Sequence, residues 1–117
     1  MNGNEYQQAA LRTAGTEDED SMLLNGVLGL CGETGEVADL VKKTKFQGHW
    51  FDSAKVAEEL GDVLWYIAVT AHAIGFSLDE IMERNIEKLK ARYPDGFDAE
   101  RSIHRPEYEE GEAYVGN

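Results

Sequence analysis

Residues 56–75 read VAEELGDVLWYIAVTAHAIG, and their periodicity decides the fold. Val56, Leu60, Val63, Leu64, Ile67, Ala71 and Ile74 recur at mixed spacings of three and four, the period of an α-helix, and Gly75 supplies a stop. Two acids interrupt the apolar run. Glu59 and Asp62 are three positions apart, so a helix sets them one turn above each other on one side. Residues 32–43, GETGEVADLVKK, repeat the device with Glu33 and Glu36 between Cys31 and Val37. If the two helices pack face to face, four carboxylates converge near one point. Like charges crowded among apolar side chains need protons or cations to be tolerated. A hard, oxygen-preferring divalent ion is the simplest answer, and magnesium keeps positions open for water and substrate phosphates. The pattern points to metal-dependent phosphate chemistry on a helical scaffold.

The rest of the chain supports an all-α class. A short helix is predicted from about Asn4 to Ala14, followed by the acidic connector GTEDEDS at 15–21. Asp20 or Ser21 can cap a long second helix with apolar positions Leu23, Val27, Leu30, Val37 and Val41. Lys42, Lys43 and Lys45 suit the negative end of its dipole. FQGHWFD, residues 46–52, reads as a loop, with Asp52 or Ser53 starting the third helix. SLDE, residues 77–80, reads as a capping box for a fourth helix through Ile81, Ile86 and Leu89 to about Arg92, ended by Pro94 and Gly96. Beyond Phe97 the sequence turns charged and aperiodic. The expectation is one domain over 1–97 and an acidic tail over 98–117, mobile or ordered by a neighbouring subunit. With no strand alternation and no repeat, the fold class is all-α, a helical bundle of about four helices.

Gly26, Gly29, Gly32 and Gly35 recur every third residue within the second helix. Each costs about 1 kcal/mol relative to alanine in a helix interior, so four together need a reason. Close helix packing is the reason expected for Gly26 and Gly29. For Gly32 and Gly35, which each precede an acid of the pair, packing and room for metal and phosphate stand level.

A net charge of −12, from 23 acids against 11 bases, repels a nucleic-acid backbone and anionic lipid, so neither is an expected partner. A small metal-chelated polyphosphate is different, because bound cations reverse the local field. One cysteine excludes an intrachain disulfide and suits a reducing cytoplasm. No signal peptide is read in MNGNEYQQAALRT, and no apolar run approaches the roughly 20 residues of a membrane span, so a cytoplasmic location is expected.

The acidic pattern, E-x-x-E followed after a 22-residue spacer by E-x-x-D, resembles the signature of the MazG-like branch of the all-α nucleoside triphosphate pyrophosphohydrolases. GLCGETGEV (29–37), FQGH (46–49), EELGDVLWY (58–66) and NIEKLKARYPDGF (85–97) extend the likeness from about Tyr6 to Phe97. The resemblance implies hydrolysis of a nucleoside triphosphate, ribo- or deoxy-, ordinary or non-standard, between the α and β phosphates, giving monophosphate and pyrophosphate. It makes Glu33, Glu36, Glu59 and Asp62 ligands of magnesium, two or more ions per site, for which manganese can substitute. Asn85 and Lys88 match positions that approach the nucleotide and its phosphates. Arg92 falls in the same run, and Tyr66 lies where relatives can place an aromatic near base or sugar. Either Glu33 or Glu36 would serve as the catalytic base. The resemblance also implies a homodimer or a dimer-of-dimers tetramer. The third helix, apolar around nearly its whole circumference, independently asks for a partner surface.

Blander readings stand beside these. Asn85 can be a buried hydrogen-bonding group and Lys88 a plain ion-pair partner. Trp65 and Tyr66 can be core or interface, His72 a core or interface histidine, and Cys31 a small buried hydrophobe. A noncatalytic nucleotide- or metal-binding helical module is the alternative function. Four liganding carboxylates exceed what such a module requires.

Overall fold

The computed structural model describes residues 1–15 and 18–105. The described residues are all-α, with four main helices and one short one: α1 (Gly3–Leu11), α2 (Glu19–Phe46), α3 (Ser53–Ala73), α4 (Leu78–Arg92) and α5 (Ala99–Ile103). Local chemistry sets the ends. Asn2 and Glu5 form a reciprocal capping box on α1, with Glu5 N–H donating to Asn2 Oδ1 at 2.8 Å and Asn2 N–H donating to Glu5 Oε1 at 3.1 Å. The cap of α2 is Asp18, whose Oδ1 accepts from Ser21 N–H at 2.8 Å, so the helix begins before the expected Asp20 or Ser21. Asp52 caps α3 as expected, accepting from Lys55 N–H at 3.2 Å. Gly75 ends the turn after α3 at φ +85°, where a side chain would strain the backbone. The sequence beyond Phe97, expected to be aperiodic, contains α5, started by Asp98 accepting from Glu100 and Arg101 N–H. The other part of the expected tail, 106–117, lies outside the described residues.

The chain divides into two compact units, Met1–Asp79 and Glu80–Asn117. In the first, α2 and α3 run antiparallel, because Gly26 faces Thr70 and Gly29 faces Tyr66, while Glu33 reaches Glu59 and Asp62. A Cβ at Gly26 or Gly29 would fall inside Thr70 or the Tyr66 ring, so both glycines are packing glycines, as the sequence suggested. α1 closes one end of this hairpin. Ala10, Ala68 and Leu78 form its buried centre, with Tyr6, Trp65 and Ile67 packed around it. One buried polar side chain staples the arrangement. Gln7 Nε2 donates to the Ala68 and Phe76 carbonyls at 3.0 and 3.1 Å, and Gln7 Oε1 accepts from Leu78 N–H at 3.1 Å. Outside it, Asn4 and Asp79 exchange reciprocal backbone-to-side-chain bonds at 3.2 and 3.0 Å. The second unit holds most of α4, then the Tyr93–Phe97 ring pair with centroids 5.3 Å apart, then α5.

Candidate functional site

The antiparallel register of α2 and α3 brings the acids together. Ligand oxygens of Glu33, Glu59 and Asp62 all lie within 4.8 Å of one another, with the two glutamates half-buried and the aspartate exposed. Glu36 stands one turn further along α2, exposed and outside this group. Partial desolvation pushes the Glu33 carboxyl above its ordinary value, helped by a hydrogen bond to Glu59 and by the charges of Asp62, Glu59 and Glu36. A proton shared between carboxylates is how such a cluster tolerates itself without a cation. Three clustered oxygen donors fit a hard divalent cation, and their mutual repulsion is what that cation would relieve. Gly32, Gly35 and Gly61, neighbours of the acids in sequence, have open space where a side chain would be.

Beside the carboxylates lies a cavity of about 380 Å³ lined by Thr13, Glu33, Asp62, Trp65 and Tyr66. Trp65 and Tyr66 meet edge to face, centroids 4.9 Å apart at 84°. Tyr66 is held against α2 by the missing side chain at Gly29. The Trp65 indole N–H donates to the Ala10 carbonyl at 3.1 Å and to Thr13 Oγ1 at 2.9 Å, which fixes the end of α1 to this wall. Tyr6 stands close enough to Asp62 for that charge to matter. Its phenol is pushed up mainly by burial and secondarily by Asp62.

The remaining expected residues are placed as follows. Asn85 and Lys88 are exposed and Arg92 is half-buried on α4 in the second unit, with spacings of three and four that put them on one face of that helix. Asn85 is therefore no buried hydrogen-bonding group. Cys31 is exposed, which corrects the expectation of a small buried hydrophobe, and His72 is exposed, which removes the core half of its core-or-interface reading. Lys43 is tied to Asp39 at 2.8 Å and Lys42 approaches the same carboxylate at 3.5 Å, holding Asp39 below its ordinary value. Sequence reasoning missed Thr13 and Tyr6. No local pattern marks them, since they reach the site only through the docking of α1. Trp65 carried a signal, three positions past Asp62 on the same helical face.

The pattern of a MazG nucleotide pyrophosphohydrolase domain matches residues 23–97, the span that contains all four acids and Asn85, Lys88 and Arg92. The Gene 37 protein of Mycobacterium phage L5 is 38% identical over 96 residues, covering 74% of this chain and 84% of that protein. No solved structure matches the chain. With most of its length under the family pattern and its acids gathered between two antiparallel helices, the chain belongs to the MazG nucleotide pyrophosphohydrolase family.

Proposed function

We propose that the protein hydrolyses nucleoside triphosphates, ribo- or deoxy-, at the α–β anhydride, releasing nucleoside monophosphate and pyrophosphate in a magnesium-dependent reaction. The observation that carries this reading is the convergence of Glu33, Glu59 and Asp62 within 4.8 Å beside an open cavity. Two or more magnesium ions, or manganese in their place, would neutralise phosphate charge and acidify a bound water. The chain's own groups divide the remaining work. Glu33, Glu59 and Asp62, with Glu36 one turn along α2, would hold the cations, and either Glu33 or Glu36 would take a proton from the attacking water. Glu33 keeps that role open if it is released from Glu59. Lys88 and Arg92 would hold the outer phosphates, with Asn85 and Tyr66 beside the nucleotide. In water, α2 presents Leu24 and Leu28 and α3 presents Leu60 and Leu64, each pair one turn apart and each residue more than half exposed except Leu64. Such surface supports a homodimer or a dimer-of-dimers tetramer, and a cytoplasmic location belongs to the same proposal.

A panel of ordinary and modified triphosphates with magnesium tests the reaction. Monophosphate and pyrophosphate are expected in equal amounts, with isotopic oxygen from water in the monophosphate. Orthophosphate with a diphosphate product would place attack at the terminal phosphate and overturn the reading. Tight nucleotide binding with no turnover would leave the noncatalytic module standing instead. Light scattering decides assembly, since a stable active species at 13.0 kDa would exclude the oligomer.

A further inference from the structure

We infer that Thr13 is a specificity-determining residue that accepts a hydrogen bond from the nucleoside part of the substrate, an inference that rests on the pyrophosphohydrolase reading above. Among the described residues, five line the cavity of about 380 Å³, and two of them, Glu33 and Asp62, belong to the acidic group. For a triphosphate whose phosphates meet the acids, the wall that this cavity offers the sugar or base is Thr13, Trp65 and Tyr66. The volume suits a small-molecule subsite.

The hydrogen bonds on that wall fix what it can recognise. A hydroxyl has one proton and two lone pairs. Thr13 Oγ1 donates its proton to the Ala10 carbonyl at 3.0 Å and accepts the Trp65 indole proton at 2.9 Å. One lone pair remains, so in this seating Thr13 meets a ligand as an acceptor. Trp65 has its indole N–H committed to Ala10 and Thr13, so its side chain offers the cavity an apolar ring surface. Tyr66 is pinned between Gly29 and Trp65. The group opposite Thr13 is therefore an N–H or O–H donor of the base or sugar, and a carbonyl in that place is repelled.

The location of Thr13 adds a second argument. It precedes the family span of residues 23–97, yet α1 brings it to the acids through Gln7, Ala10 and Trp65. A recognition group there can alter nucleoside choice and leave the acids untouched.

Thr13→Val keeps the shape and removes the acceptor, while Thr13→Ser keeps the acceptor. The readouts are KM and kcat for the best triphosphate in the panel, together with inhibition by tripolyphosphate, which has no nucleoside. Thr13→Val should raise KM about tenfold with kcat nearly unchanged, as expected for one lost hydrogen bond to a ligand donor. Tripolyphosphate inhibition should not move, and Thr13→Ser should behave as the wild type. An unchanged KM in Thr13→Val, equal behaviour of the two variants, or parallel weakening of tripolyphosphate would each overturn the inference. If Thr13→Val loses its fold, Thr13→Ala takes its place under the same criteria. A wild type that hydrolyses no triphosphate overturns the hydrolase reading separately. Calorimetric titration of wild type and variants with magnesium and a non-hydrolysable α,β-methylene triphosphate, against tripolyphosphate, then decides the role of Thr13.

Discussion

Gly26 and Gly29 sit on the same helix, at the same spacing, as Gly32 and Gly35, and the two pairs meet opposite surroundings. The first pair is filled by the neighbouring helix, with Thr70 against Gly26 and the Tyr66 ring against Gly29. The second pair faces open space, next to Glu33 and Glu36. One half of the hairpin has traded side chains for contact between helices, and the other has left the region around its carboxylates clear. The difference follows from what lies across the interface. Large groups on α3 come first, then Asp62 and Glu59 with Gly61 between them, and carboxylates that repel one another cannot close a seam as a phenol ring does.

The largest effect that would test this contrast is at the open half. Asp62→Asn and Glu59→Gln should each lower magnesium-dependent turnover at least about 100-fold, the scale of losing a principal electrostatic group, while circular dichroism shows an intact helical fold. Near-normal hydrolysis by both variants would remove the assignment of this half as the reaction site.

At the closed half the expected loss is of stability. Gln7→Leu strips hydrogen bonds from Ala68, Phe76 and Leu78 in a buried place and should cost about 2–4 kcal/mol by urea denaturation. A midpoint shift within error would show that α1 is held by its apolar contacts alone.

The sharpest comparison is the glycines themselves. Gly29→Ala drives a methyl into Tyr66 and should destabilise by about 1–3 kcal/mol. Gly35→Ala meets nothing and should stabilise by up to about 1 kcal/mol through helix propensity. Two changes of the same sign would erase the distinction between the halves.

The smallest effect is in pH dependence without metal. Glu33 is raised in the folded protein, so its contribution to stability is fully present below the ordinary carboxylate value and is lost as pH rises through the raised one. Glu33→Gln should therefore match the wild-type melting temperature near pH 4 in chelator and exceed it near pH 7. Identical curves at both values would show that neither desolvation nor the neighbouring carboxylates burden a charged Glu33.

Helical periodicity made α2, α3 and α4 legible in the sequence, and three-residue acid spacing marked the reactive half before any packing was known. The cap of α2 was misplaced because Asp18 and Asp20 are chemically equivalent candidates and only backbone geometry separates them. α5 escaped because five residues are too few to show a period. Cys31 was misjudged because its apolar neighbours do not reveal which side of a helix meets solvent. The Thr13 wall was invisible for a different reason. It depends on a contact between residues 52 apart, and no local pattern encodes that.

That distance has a kinetic consequence. The bonds that secure α1 join residues 52 to 75 positions apart, whereas Glu33 and Glu59 are separated by 26. Wider closures cost more chain entropy before any contact offsets it. The α2–α3 hairpin should therefore form early in folding and α1 should dock late, as a hypothesis that amide exchange can test. Backbone amides of α1 should exchange through openings smaller than global unfolding, while those of α3 around Ala68 and Val69 are protected to the global limit. Equal protection in the two helices would mean that they fold as one unit. On the expected outcome, the carboxylates are assembled before the wall beside them exists, and that wall is also the first part of the site to leave.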